Sequence, residues 1–153
     1  MSNISKAFDH GKAFIGFATA GDPDLEASRR VMLEMARGGC DLIEIGIPFS
    51  DPIAEGPVIQ EADLCALNAG TTTDKVFEMT AKLSAETDVP LVYMTYLNVL
   101  FKYGYEKFLK NAKDCGISGV DVPDLPFEEK GELHSVAEKY DIDVISLVAP
   151  TSE

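Results

Sequence analysis

Two carboxylates, Glu44 and Glu55, carry the strongest chemical signal in the chain. Glu44 lies inside the apolar run Leu42-Ile43-Glu44-Ile45-Gly46-Ile47, which only this acid and one glycine interrupt. A short run rich in β-branched residues predicts a strand buried on both faces. An ionised carboxylate there is costly unless it is paired, hydrogen-bonded or facing a wet cavity. The following Pro48-Phe49-Ser50-Asp51-Pro52 cannot be helix or strand interior, because two prolines flank a short polar stretch. Glu55 lies just beyond, between Ala54 and Gly56-Pro57. A rigid acid on a strand and a second acid on a loop able to close over a substrate suit proton transfer. The blander alternatives are a structural Glu44 and a solvated Glu55. A buried strand acid with no basic neighbour in sequence is more often functional, whereas only its place in this block lifts Glu55.

The elements that must position these acids follow from hydrophobic periodicity. Residues 2–9 have Ile4, Ala7 and Phe8 at helical spacing, predicting a short opening helix. Residues 12–19 read as a first buried strand, ended by Gly21-Asp22-Pro23-Asp24, with Asp22 and Asp24 as caps rather than ligands. Residues 25–36 read as a helix with Val31, Met32, Met35 and Ala36 on one face, stopped by Gly38-Gly39. After the proline-rich loop, 61–69 reads as helix through Ala62, Leu64, Cys65 and Leu67. Residues 75–85 follow, with an apolar face of Val76, Phe77, Met79, Thr80 and Leu83. Strands are expected at 90–96, 119–123 and 143–149, and helices at Tyr105–Asp114 and 127–140, the latter opening on Glu128 and Glu129.

Strand then helix, repeated, with buried rather than alternating strands, implies right-handed βαβ units and a parallel sheet. Five strands occupy 153 residues, about 30 each, so eight would need about 245, close to the roughly 250 of a (β/α)8 TIM barrel. The chain therefore reads as a single α/β domain over 1–153, a partial barrel of five parallel strands with helices outside. A doubly wound open sheet is the competitor, but neither GxGxxG nor GxxxxGK[ST] is present.

Composition narrows the function classes. Thirteen Lys and Arg against 26 Asp and Glu give a net charge of −13, which argues against nucleic acid as a partner. No apolar run approaches membrane-spanning length and no signal peptide opens the chain, so a cytoplasmic protein is expected. Cys40, Cys65 and Cys115 are widely spaced and read as reduced thiols rather than a metal or redox site. His10 and His134 read as surface residues. Of the tyrosines and phenylalanines at 93–105, only Tyr96 reads as a pocket candidate. No metal and no cofactor is expected.

Several stretches together resemble one family. They are FATAGDPD, DLIEIGIPFSDPIAEGPVIQEAD, Leu67-Asn68-Ala69-Gly70-Thr71-Thr72, MTYLNVLFKYG and GVDVPDLPFEE. The chain is similar to the tryptophan synthase α subunit, most clearly over residues 14–129, and IPFSDP is the most specific block. The resemblance implies a (β/α)8 barrel that cleaves indole-3-glycerol phosphate to indole and glyceraldehyde 3-phosphate. Indole would then pass to a β subunit. By position, Glu44 matches the acid/base that protonates indole C3 and takes the glycerol hydroxyl proton. Glu55 stands where the family usually has the aspartate that handles the indole N–H proton; the extra methylene moves the carboxylate by more than an ångström unless the loop compensates. Phe17, Met94 and Tyr96 match walls of the indole pocket, and Asp51, Asn98 and Asp124 match polar positions near the loops above it.

Asp121 departs from the aliphatic residue that the family commonly carries. An inward Asp121 adds a third acid that raises its neighbours' pKa or spoils the pocket, and it reads as a variant position rather than a catalyst. The family's phosphate grip comes from loops after later strands, and no P-loop or Lys/Arg cluster replaces it here, so little turnover is expected of these 153 residues alone. The alternative is a non-catalytic barrel fragment that self-associates or binds a β-type partner. Homo-oligomers are expected through the open sheet edges near 14–19 and 144–148.

Overall fold

Each of the five apolar runs becomes a strand. In the computed structural model, which describes residues 4–150, the strands are β1 (Ile15–Thr19), β2 (Leu42–Gly46), β3 (Leu91–Met94), β4 (Ile117–Asp121) and β5 (Asp143–Ile145). The helices are α1 (Leu25–Arg37), α2 (Pro57–Asn68), α3 (Thr73–Ser84), α4 (Leu97–Tyr103), α5 (Tyr105–Asp114) and α6 (Lys130–Lys139). Short 3-10 helices span Ile4–Phe8 and Phe127–Glu129. The sheet order is β1-β2-β3-β4-β5, with every neighbouring pair parallel. Strands added always on the same side make the winding of a barrel; a doubly wound sheet reverses direction. The architecture is a partial TIM barrel.

Local chemistry sets the element ends. Asp24 caps α1 by accepting the Ala27 N–H at 2.8 Å, and Thr72 caps α3 by accepting that of Lys75 at 3.4 Å. Several boundaries differ from expectation. α2 starts at Pro57 instead of residue 61, because a proline at the first helical position loses nothing by lacking an N–H. Leu97–Tyr103, between the strand expected at 90–96 and the helix expected at Tyr105–Asp114, is a further helix, α4, whose start is satisfied by Asp124 reaching across to accept the Leu97 N–H at 2.8 Å. β5 stops at Ile145 instead of 149, and the expected helix over 127–140 opens as a 3-10 turn before α6. Residues 2 and 3 of the expected opening helix lie outside the described residues; Ile4–Phe8 is 3-10.

Pairing across the strands sorts side chains to two faces, because paired residues of a parallel sheet point the same way and faces alternate along each strand. Phe17, Glu44, Val92 and Gly119 form one row; Thr19, Gly46, Met94, Asp121 and Ile145 form the next on the same face. The opposite face presents Ile43, Ile45, Leu91, Tyr93 and Val120, which pack with Met32, Leu33, Val76, Phe77, Leu83, Phe108, Leu109 and Leu133 from the helices. Tyr93, fully buried there, donates to Thr80 Oγ1 at 2.8 Å. Phe77 and Phe108 meet edge to face at 5.2 Å between ring centroids. The inner face is closed at its base by the opening 3-10 helix, whose Ala7 and Ile4 pack with Leu42, Val92 and Ile145. Gly119 permits that approach: a Cβ there would lie 2.5 Å from Ile4 Cδ1. Gly46 is needed likewise, since its Cβ would meet the Phe17 ring at 2.6 Å.

Two helix faces differ in detail from the periodic reading. Val31 and Leu64 are exposed, while Ser28 and Asp63 face inward. His134 is half-buried, not a surface residue, because it packs into the cleft formed by Val122, Pro123 and Val144. Cys40 and Cys115 are buried, Cys65 is half-buried, and none is disulfide-bonded. Among the described residues no helix is long and apolar enough to cross a membrane. β1 and β5 are the edges of the described sheet, with Phe14, Ile15, Leu147 and Val148 exposed beside them.

The outer seal predicts a contrast between two phenylalanines. Phe108 is fully buried among aromatic rings and Phe101 is 72% exposed. Phe108→Ala is expected to cost about 3–5 kcal/mol and Phe101→Ala less than about 0.5 kcal/mol, read from urea unfolding midpoints.

Candidate active site

Glu44 is held by the middle of β2, half-buried between fully buried neighbours, with β1 on one side and β3 on the other. Its side chain leaves the sheet on the inner face, away from the helices. It reaches a cavity of about 380 Å³ lined by Ile4, Phe8, Ile15, Leu42, Val92, Asp121 and Ile145 as well as Glu44 itself. Apart from the two acids this lining is wholly apolar. Burial therefore acts on both carboxyls. Glu44 is pushed up to about 7, first by burial, then by the charge of Asp121 and its hydrogen bond. Asp121 is also raised by burial, and the Glu44 hydrogen bond opposes that rise.

Asp121 shares a face with Gly119 in the β4 alternation, and in the structure that face is the inner one. It is 9% exposed, one row above Glu44 and two strands away. Of the two consequences open for a third acid, a raised neighbour or a spoiled pocket, Asp121 adds to the rise at Glu44 that burial begins. Phe17 and Met94 share the inner face, Phe17 beside Glu44 and Met94 beside Asp121.

Glu55 has different surroundings. The loop over 47–56 folds back so that the Ala54 N–H donates to Tyr96 Oη at 2.9 Å, and the Tyr96 hydroxyl donates to the Glu55 carboxylate. Phe49 lies against the Tyr96 ring, centroids 5.2 Å apart. Gln60 Nε2 donates to the Glu55 backbone carbonyl at 2.9 Å, tying the loop to α2. Glu55 is raised by burial and by Asp124, against the lowering effect of the backbone N–H groups of Glu55 and Ala54. The two acids of the sequence block thus have separate partners: Glu44 is paired with Asp121, and Glu55 with Tyr96. Tyr96, expected as a pocket wall, is buried and acts as the post to which the loop is tied.

Asp63 is a site residue that sequence reasoning passed over. It faces inward from α2, is 5% exposed, and is pushed up to about 6 by burial and by Glu55, against the Phe49 backbone N–H it accepts. The available signal was an acid on an inward helix stripe, visible only once the helix starts at Pro57. Asp124 serves α4 as its N-terminal acceptor. Asp51 and Asn98 are exposed and meet in another place, a groove of about 520 Å³ formed with Pro48, Phe49, Ser50, Val99 and Tyr103. Among the described residues no cluster of three or more His, Cys, Asp or Glu is placed to hold a metal ion.

Residues 4–153 match the family model described as tryptophan synthase alpha chain. The chain belongs to the tryptophan synthase alpha chain family. A relative from Lacticaseibacillus casei, named tryptophan synthase alpha chain, is 49% identical over 152 residues, which are 99% of this chain and 57% of that protein. The tryptophan synthase subunit alpha of Legionella pneumophila superposes with a TM-score of 0.95 at 36% identity, over 100% of this chain and 61% of that one. The alpha-beta tryptophan synthase complex of Pyrococcus furiosus contains a chain with a TM-score of 0.87 at 35% identity, covering 92% of this chain and 60% of that one. The chain thus spans little more than half the length of the relatives it matches.

The raised carboxyls make stability depend on pH with a definite sign. A carboxyl whose folded pKa lies above its unfolded value binds more protons in the native state, so its contribution is complete below the unfolded pKa and is lost as pH rises through the folded one. For Glu44, raised from 4.5 to about 7, and Asp63, raised from 3.8 to about 6, that window is about pH 4 to 7. The urea midpoint is expected to fall across it. Glu44→Gln and Asp63→Asn should each flatten the fall, and a slope unchanged in both variants would contradict the assignment.

Proposed function

We propose that these residues carry the proton-transfer part of an alpha-chain site, cleaving indole-3-glycerol phosphate to indole and glyceraldehyde 3-phosphate. The observation that supports this reading best is Glu44, an acid on the inner face of the sheet whose pKa lies at about 7. A group titrating near the working pH can both give and take a proton. Glu44 delivers its proton to C3 of the indole ring. The carbon–carbon bond then breaks with its electron pair returning to the ring, the glycerol hydroxyl oxygen becomes the aldehyde carbonyl, and the proton it loses goes back to Glu44. Glu55, tied to Tyr96, is the loop acid that takes and returns the ring N–H proton. Phe17 and Met94 supply apolar surface beside the two inner acids.

The family assignment and the alpha-beta assembly of the Pyrococcus furiosus relative support a β-type subunit as the partner. The Asp51–Asn98 groove, outside the Glu44 cavity, is the surface we assign to it. Glu44→Gln keeps the shape and removes the exchangeable proton. With the barrel completed by the C-terminal part of a relative, indole release should fall by about a hundredfold or more. Glu55→Asp, which retains a carboxylate on the loop, should keep most of the turnover. Substantial indole release by Glu44→Gln would sink the acid/base assignment.

The edges support a second reading for the 153-residue chain itself, self-association. Phe14 is 66% exposed beside β1 and Val148 is 79% exposed beyond β5, so both edges offer apolar surface next to unpaired backbone groups. Light scattering at micromolar concentration is expected to give a dimer or larger species. Ile15→Lys and Val144→Lys, which put a charge on each edge, should shift it toward monomer.

A further inference from the structure

We propose that Asp121 and Glu44 act as one acid pair that shares a single proton across the inner face of the sheet, with Asp121 the positioning residue that holds Glu44 in its reactive orientation. The proposal rests on the reading of Glu44 as the acid/base.

The geometry is that of two strands reaching over a third. β2 and β4 flank β3, and Glu44 and Asp121 leave the same face in adjacent rows, over Val92 and Met94. Both carboxyls line the same cavity, and a side-chain hydrogen bond between them contributes to the shift of each. Asp121 is more than nine-tenths buried, and its Oδ1 has no hydrogen-bond partner among the described residues. A buried acceptor left without a donor is costly, so such groups are almost always satisfied. Among the described residues, the group that shares a side-chain hydrogen bond with the Asp121 carboxyl is Glu44, and a proton on Glu44 makes it the donor.

Among the described residues the surroundings offer no cation to the pair. The 3-10 helix presents Ile4 and Phe8 to the cavity, and its Lys6 lines a different one. β1 contributes Ile15 and Phe17, and β3 contributes Val92 and Met94. From β5 come Ile145, beside Asp121, and Asp143, beside Gly119, another acid instead of a counter-ion. With no cation facing them among the described residues, two carboxyls in an apolar cavity do not both ionise readily at neutral pH. One carries the charge and the other carries the proton. The hydrogen bond lowers Asp121 and raises Glu44, so Asp121 ionises first and Glu44 keeps the proton. Asp121 thereby stores Glu44 loaded for transfer to carbon and fixes the direction of its acid group.

The measurement is a pH titration of side-chain carboxyl carbons by NMR on the purified chain, labelled at Asp and Glu, with the Glu44 signal assigned by its loss in Glu44→Gln. A shared proton makes each carbon report both steps, so the Glu44 and Asp121 curves should both be biphasic. Two independent single-step curves would overturn the proposal. In Asp121→Asn, which keeps the shape and removes the charge, the Glu44 midpoint is expected to fall by about one pH unit or more. An unchanged midpoint would mean that burial alone sets it, and would overturn the pairing. The biphasic curves need no variant at position 121, so the test stands even if Asp121→Asn does not fold. Indole release is a separate question: full activity in Glu44→Gln would remove the catalytic reading and leave the titration result as it is.

Discussion

The structure depends on an apolar seal between the outer face of the sheet and its helices. Ile43, Ile45, Leu91, Tyr93 and Val120 meet Met32, Val76, Leu83, Phe108, Leu109 and Leu133 there, almost all without exposure to solvent. Each large side chain buried in this way contributes about 1.5–3 kcal/mol. Because this layer holds the strands in register, the inner face is released from the need to be wholly apolar. That release lets Glu44 and Asp121 occupy a strand position that burial would otherwise forbid. The site and the core are thus two faces of the same five strands.

The acids fall into two neighbourhoods with different physics. Glu44 and Asp121 are governed by apolar walls and by each other, so their protonation is a property of the pair. Glu55 and Asp63, with Asp124 near, form a second group under the loop, where backbone N–H groups counter burial. Burial raises all four carboxyls, and what differs between the two groups is the set of partners that adds to or opposes that rise. The net charge of −13 would suggest a uniformly acidic surface. The acids that matter are few and are turned inward.

Tyr96 anchors the second neighbourhood. It lies just past β3, caps the start of α4, and receives the loop through Ala54 while contacting Glu55. Asp124 secures the same corner from the other side by accepting the Leu97 N–H. The loop after β2 is therefore anchored to the ends of β3 and β4, the end of the sheet where barrel enzymes build their sites. Asp51 and Asn98 lie on the outer side of this corner, so a partner could bind there without entering the Glu44 cavity.

Order and face were legible in the residues alone. Alternating apolar runs and amphipathic stretches specify strand, helix and barrel winding, and the apolar face of Val76, Phe77, Met79, Thr80 and Leu83 on α3 is buried as its spacing implies. Strand alternation put Asp121 on the face of residues 119 and 123, which the structure turns inward, and the IPFSDP block marked Glu44 and Glu55. Tertiary structure decided the pairings. That Glu44 meets Asp121, Glu55 meets Tyr96 and Asp63 turns under the loop depends on how three strands and a loop converge in space, and local periodicity carries no record of contacts between residues 40 to 80 positions apart. It also decided α4, whose start is satisfied by Asp124 from a distant loop. Local propensity reports what a segment can form; which long-range partner completes it is settled only when the chain closes on itself.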